Sequence, residues 1–163
     1  MKVENTHERT MCRPIRQVAE LLNSLSAEKD RLWPCESWPP MRLDRPLEEG
    51  AKGGHGPIRY RVTHFEPGRR VRFKFTGPSG FDGFHEFKLI SRSQEETTIR
   101  HEIHMKAKGQ ALFTWPFIFR SLHDALIEDA FNKAERELGL SAADSNWSVW
   151  VRILRFLIKN RRR

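Results

Sequence analysis

Gly53-Gly54-His55-Gly56-Pro57-Ile58-Arg59-Tyr60-Arg61-Val62 leads through Thr63-His64-Phe65-Glu66 into Pro67-Gly68-Arg69-Arg70-Val71-Arg72-Phe73-Lys74-Phe75. The stretch reads as a glycine-rich loop over 50–57, a strand, a Pro-Gly turn and a second strand. Ile58, Tyr60 and Val62 alternate with Arg59, Arg61 and Thr63, and Val71, Phe73 and Phe75 alternate with Arg70, Arg72 and Lys74. Side chains in a strand point to opposite faces in turn, so each strand has one buried face and one wet face, as in an antiparallel sheet.

The same period continues downstream. Gly77-Pro78-Ser79-Gly80 is a turn; Phe81, His85, Phe87 and Leu89 then share one strand face, and Ile99, His101, Ile103 and Met105 share another. A three-residue loop, Arg92-Ser93-Gln94, would pair Ser91 with Glu95, set Phe87 opposite Ile99 and set His85 opposite His101. A slip of one residue would turn an apolar face to water, so the competing registers differ by two. Either way, His85 and His101 are expected as neighbours on the inner face.

Upstream, 4–12 reads as a first edge strand. Pro14 opens a helix with Ile15, Val18, Leu21, Leu22 and Leu25 at helical spacing, a position where its missing N–H costs little. Ser26 reads as the N-cap of a second short helix ending near Arg31. Trp33-Pro34 and Trp38-Pro39-Pro40 then forbid a helix interior, and Met41, Leu43 and Arg45 suggest a short strand. At the other end, 109–138 reads as a long helix stopped by Gly139, with Trp115, Phe119, Leu122, Leu126, Ala130 and Ala134 as its apolar stripe. Pro116 marks either a kink or the true helix start.

A chain of 163 residues fits one domain with a sizeable core, and 38% hydrophobic with 31% charged residues describes a globular chain. No apolar run reaches the ~18 residues of a spanning helix, and the polar start shows no secretory signal. Two cysteines, Cys12 and Cys35, are too few for a disulfide framework or a zinc finger, so a reducing cytoplasm is the expected location. The net charge is +8, but 147–163 holds six basic residues and no acidic one, which leaves +2 for the rest. A nucleic-acid-binding body would carry the excess on its own surface, so no nucleic-acid partner is expected.

The tail is the second domain-level feature: 1–140 forms the main domain, and 141–163 a basic amphipathic helical extension. Trp147, Trp150, Val151, Leu154, Leu157 and Ile158 form its apolar stripe, with Arg152, Arg155 and Lys159 as the polar one. A helix this apolar must cover itself. It docks on its own domain or on a second copy, or it lies in a membrane interface with its cations at anionic head groups.

The order strand, short helices, antiparallel strands, long helix resembles the START-like superfamily, also called Bet v 1-like or polyketide cyclase/dehydrase and lipid-transport (SRPBCC). The resemblance is carried by the Gly-Gly-His-Gly-Pro-Ile-Arg-Tyr and Pro-Gly-Arg-Arg-Val runs, together with Leu32-Trp33-Pro34, Trp38-Pro39-Pro40-Met41, Phe84-His85-Glu86-Phe87 and His123-Asp124-Ala125. It implies an α+β helix-grip fold: a curved antiparallel sheet wrapped around the long helix, two short helices after the first strand, and an apolar cavity for lipids, sterols, polyketides or similar molecules. A minority of members are enzymes, and no catalytic residue is common to all of them.

On that fold Tyr60, Val62, Phe73, Phe75, Phe87 and Ile103 would line the cavity from the sheet, and Phe119, Leu122 and Leu126 from the helix. His85 and His101, with His123, would be its polar anchors. The function expected is binding of a small hydrophobic ligand. The alternatives are a cyclase/dehydrase using these histidines as general base, and a membrane-peripheral or interaction protein acting through its tail. No cofactor or metal is expected. His101 and His104 face opposite sides of a strand, unlike a zinc-protease pair, and 50–56 lacks the Gly-Lys-Ser/Thr ending of a phosphate loop.

Overall fold

In a computed structural model, which describes residues 1–160 and side chains through Ile158, seven antiparallel strands form one curved sheet. The strands are β1 (Lys2–Met11), β2 (Arg42–Leu43), β3 (Lys52–His55), β4 (Ile58–Glu66), β5 (Arg70–Gly77), β6 (Phe81–Ser91) and β7 (Thr97–Ala107). Their order is β1-β7-β6-β5-β4-β3-β2, so β1 returns to pair with the last strand and forms an edge. Helix α1 (Ile15–Asn23) buries Val18, Leu21 and Leu22 and packs near β6 and β7.

The long helix comes in pieces. A single turn, α2 (Ala111–Thr114), runs into a π-helical turn, Trp115–Phe119, and then α3 (Arg120–Glu137). The wide turn falls at Pro116, which has no N–H to offer the carbonyl four residues back. The helix ends as its glycine predicts. Gly139 takes φ 67°, its N–H bonds the Arg136 carbonyl and that of Leu140 bonds Glu135, the pattern of a Schellman cap. Ile127, Ala130, Phe131 and Ala134 of α3 are buried in the core with Phe73, Phe87 and Ile99 of the sheet.

Three local expectations are corrected. No second helix follows α1: Ser26 has φ 65°, outside the extended region an N-cap uses, and Asp30 ties the segment into turns by accepting from the N–H groups of Ser26, Leu32 and Trp33. The glycine-rich stretch is a strand rather than a loop. A Cβ on Gly53 would lie 1.9 Å from the Arg42 carbonyl oxygen, and one on Gly54 2.0 Å from that of Ile58, so these glycines admit neighbouring backbone. The β6–β7 register is the competitor two residues away: Ser91 pairs with Thr97, Phe87 with His101 and His85 with Ile103. The connecting loop is therefore 92–96 rather than three residues.

The basic outer face is partly neutralised. Buried Glu86 accepts from Nε of both Arg70 and Arg72, each at 2.8 Å, and the Arg72 guanidinium lies 4.0 Å from the centre of the Phe84 ring. Desolvation pushes the Glu86 carboxyl up, but the two arginines outweigh it and hold it below the ordinary value.

The tail forms α4 (Val149–Asn160), which packs against α3 with Val151 and Leu154 buried. Its anchor is Asp129 of α3, whose Oδ2 accepts the indole N–H of Trp38 (2.7 Å) and of Trp147 (2.8 Å). The Arg155 guanidinium sits over both rings, 4.2 and 4.0 Å from their centres, and donates to the Ser37 carbonyl at 2.5 Å. Trp150, Arg152 and Leu157 face outward. The side chain of Lys159 and the run Arg161-Arg162-Arg163 lie outside the described residues.

Candidate functional site

A cavity of about 600 Å³ lies between the sheet, α3 and α4. Of the expected wall, Phe75, His85, His101 and Ile103 line it from the sheet, and Phe119, Leu122, His123 and Leu126 line it from the helical side. Tyr60, Val62, Phe73 and Phe87 do not reach it. They are buried on the same inner face, but neighbouring side chains cover them, with the Tyr60 and Phe73 rings 5.0 Å apart and both packed on His85. Alternation correctly assigns a face, but it does not say which inward side chains are covered by the next layer.

His85 Nδ1 and His101 Nε2 lie 3.2 Å apart in a buried hydrogen bond. His123 approaches from α3, its ring centre 4.9 Å from that of His101. His85 Nε2, His101 Nδ1 and both nitrogens of His123 are buried with no hydrogen-bond partner. Burial pushes the His85 and His101 imidazoles well below their ordinary value, and the neighbouring imidazoles push the same way. Burial also lowers His123, against the pull of Asp124. The cluster is therefore uncharged near neutrality.

His55 is a fourth cavity histidine that the sequence reading left in a loop. It packs on Trp33, with ring centres 4.7 Å apart, and shares a 3.1 Å hydrogen bond with the Tyr60 hydroxyl. Burial drives its imidazole down to about 3. Gly56-Pro57 between two strands was the signal that could have found it, since a two-residue hairpin there pairs His55 with Ile58. Trp33, Trp38, Phe81, Trp115 and Arg155 were also missed as lining residues. Trp33 and Trp38 are placed by a loop and Arg155 by tail docking, which carry no period, whereas Phe81 and Trp115 lie on periodic apolar faces. The exposed lining residues Ser37, Pro57, Phe156 and Ile158 mark the rim.

Behind His123, away from the sheet centre, His7 of β1 bridges two carboxylates, Asp124 at 3.0 Å and Glu128 at 2.9 Å. Desolvation would lower the His7 imidazole, but the two carboxylates outweigh it and raise it. His7, His123 and Asp124 place their ligand atoms within 4.8 Å of one another, the one metal-like grouping among the described residues. Both His7 nitrogens are already bonded to carboxylates, so the group is built as an ion-pair network joining β1 to α3.

A curved antiparallel sheet gripping a long C-terminal-side helix over an apolar cavity is the helix-grip fold, and the chain has the START-like, Bet v 1-like form of it. Solved structures with this fold include a protein from Thermobifida fusca determined in solution. It is 17% identical, the match covers 86% of this chain and 97% of that one, and the TM-score is 0.64. Norcoclaurine synthase from Thalictrum flavum, in complex with dopamine and hydroxybenzaldehyde, is 10% identical over 88% of this chain and 90% of its own, with TM-score 0.64. CalU16 from Micromonospora echinospora is 14% identical over 86% and 96%, with TM-score 0.51. No protein-family model matches the chain, and no curated protein matches it in sequence.

Proposed function

We propose that the chain binds a small hydrophobic ligand, such as a lipid or polyketide, and holds its polar end at the His85–His101 pair. The observation that supports this most is an apolar cavity whose buried imidazoles have nitrogens without partners. Its volume of about 600 Å³ is of the size that encloses a small organic molecule.

The pair also suggests what the polar end looks like. A neutral imidazole has one donor and one acceptor. Whichever ring donates in the shared bond, one of the two free nitrogens is left as a donor and the other as an acceptor. A hydroxyl or phenol, itself both donor and acceptor, matches that set. The norcoclaurine synthase of this fold is known with dopamine and hydroxybenzaldehyde, both phenols.

Native mass spectrometry of the protein after exposure to a total lipid extract, with denaturing release of what stays bound, tests this reading. The expected result is a discrete added mass. A clean apo mass across repeated extracts overturns it.

A second reading, a cyclase/dehydrase-type enzyme, rests on the partnerless imidazole nitrogens beside the cavity, one of which would take the substrate's proton as general base. Under that reading His85→Ala or His101→Ala abolishes turnover of the released ligand while uptake of an apolar lipid persists. Under simple binding, no turnover is seen in the wild-type chain.

A further inference from the structure

Ten large apolar side chains are exposed among the described residues, and nine of them lie in two short stretches, 112–117 and 149–158. Scattered exposed apolar residues are ordinary, but a contiguous group is not. The two stretches are neighbours: the Trp150 indole N–H donates to the Phe117 carbonyl at 2.9 Å. Phe113 and Phe117 are 69% and 64% exposed, and Phe156 is 65% exposed.

Helix α4 shows the same thing along its own axis. Val151 and Leu154 bury one side against the body, while Trp150, Ile153, Phe156 and Leu157 leave the other side apolar as well. A helix with so wide an apolar face is stable in water only when that face is covered. Packing on the body therefore satisfies half of this helix.

The charges say what covers the other half. The stretches 105–123 and 145–163 hold nine of the 29 basic residues and none of the 21 acidic ones. Outside them the chain has 20 basic and 21 acidic residues, a net charge of −1. The whole positive excess of the sequence thus falls in the two stretches that also carry the exposed apolar residues. A second copy docking on this face would bring two sets of basic stretches together, whereas an anionic lipid surface would neutralise them.

We infer that this face docks on anionic membrane. Phe113, Phe117, Trp150 and Phe156 enter the boundary between head groups and acyl chains, while Arg120 and Arg152 meet phosphates. Phe156 and Ile158 belong both to the exposed face and to the cavity lining, so the docked protein turns its cavity rim toward the lipid. Docking is independent of what the cavity holds.

Vesicle flotation of the full chain tests this, using phosphatidylcholine alone and phosphatidylcholine with about 30 mol% phosphatidylglycerol, since each cation near an anionic surface strengthens binding about five-fold. The expected result is binding to the anionic vesicles, about ten-fold or more weaker on neutral vesicles and weakened again at about 0.5 M salt. The double variant Phe113→Asp/Phe117→Asp, whose side chains are mostly in water already, is expected to lose about ten-fold or more of the binding with its unfolding temperature unchanged. Absence of binding to anionic vesicles, or binding that the double variant leaves intact, overturns the inference. So does a concentration-dependent dimer that the double variant dissociates while vesicles are ignored, which would make this a surface for a second copy.

Discussion

His85 and His101 share a 3.2 Å hydrogen bond although they are not cross-strand partners: His85 stands opposite Ile103, and His101 opposite Phe87. The diagonal lets the two rings meet while Phe73 stacks on His85, with ring centres 4.9 Å apart, and Phe87 packs edge-on against His101, centres 4.5 Å apart. Each ring satisfies one nitrogen of the other. His85→Phe or His101→Phe alone leaves a buried nitrogen orphaned and is expected to lower stability by about 1–3 kcal/mol. The double replacement removes both and is expected to recover most of that loss, since two apolar groups of similar shape need no partner. Urea unfolding of the four chains gives the cycle. Uptake of a hydroxyl-bearing ligand should fail in the double variant even where its stability matches wild type, and this separates a binding role for the pair from a packing role.

Acid should unfold this protein earlier than its carboxylates alone would. Burial, first among the causes in each case, lowers the imidazoles of His55, His85, His101 and His123 below the ordinary 6.5. Below that value the unfolded chain takes up protons that the folded chain does not, so stability falls as pH drops, by about 1.4 kcal/mol per pH unit for each full proton difference. His7 works the other way. Its imidazole is raised, so its contribution is complete below 6.5 and is lost as pH rises through its folded value. With four groups against one, the unfolding temperature is expected to rise between pH 5 and pH 7. Calorimetry across that range checks it. In His85→Phe/His101→Phe the slope should flatten, and in His7→Gln it should steepen above pH 6.5, where the opposing loss is removed.

Asp129 should be the residue that keeps α4 in place. Its Oδ2 is the shared acceptor for the indoles of Trp38 and Trp147, one in the loop before β2 and one at the start of the tail. Hydrogen bonds to a charged group contribute about 1.5–3 kcal/mol each, so Asp129→Leu is expected to lower stability by about 3 kcal/mol or more. The loss should be local first. Limited proteolysis is expected to cut the variant within 141–148 under conditions that leave the wild-type chain whole. Equal protease resistance in both chains would show that Val151 and Leu154 hold the helix without the indole clamp.

Period-two alternation places β4 to β7 and their inner faces, because Ile58, Tyr60 and Val62, and Val71, Phe73 and Phe75, recur at every second position, and β6 and β7 keep the same period through His85 and His101. It also leaves the register open by two, and a five-residue loop rather than a three-residue one decides it. Helical spacing places α1 and α3, and Pro116 and Gly139 mark their irregular start and capped end. The cavity histidines of β6 and β7 were legible for the same reason as the strands. His55 was not, because Gly53 and Gly54 look like a loop until it is seen that neighbouring carbonyls need their missing Cβ. The wall from Trp33, Trp38 and Arg155 was not legible either. Trp38 is fixed by a buried carboxylate 91 residues away and Arg155 lies over its ring, relations with no local signature.

The same two glycines give the last prediction. β3 carries His55 and the rim turn Gly56-Pro57, and it fits between β2 and β4 only because its glycines have no Cβ. Alanine at Gly53 would place a carbon 1.9 Å from the Arg42 carbonyl oxygen, and alanine at Gly54 one 2.0 Å from the Ile58 carbonyl oxygen. Both obstacles are backbone, so no rotamer change relieves them and the strands must separate. Forced overpacking of this kind costs about 1–3 kcal/mol, which at this chain length lowers the unfolding temperature by roughly 2–12 °C. Ligand uptake should fall with it, since the displaced strand holds His55 against Trp33. Gly50→Ala is the control: a Cβ there meets nothing within 4 Å, so it carries only the strain of its φ of 90°. Its cost is expected to stay near 1 kcal/mol, with uptake unchanged. If Gly53→Ala behaves like Gly50→Ala, the close approach of β2 to β3 is not what the glycines serve.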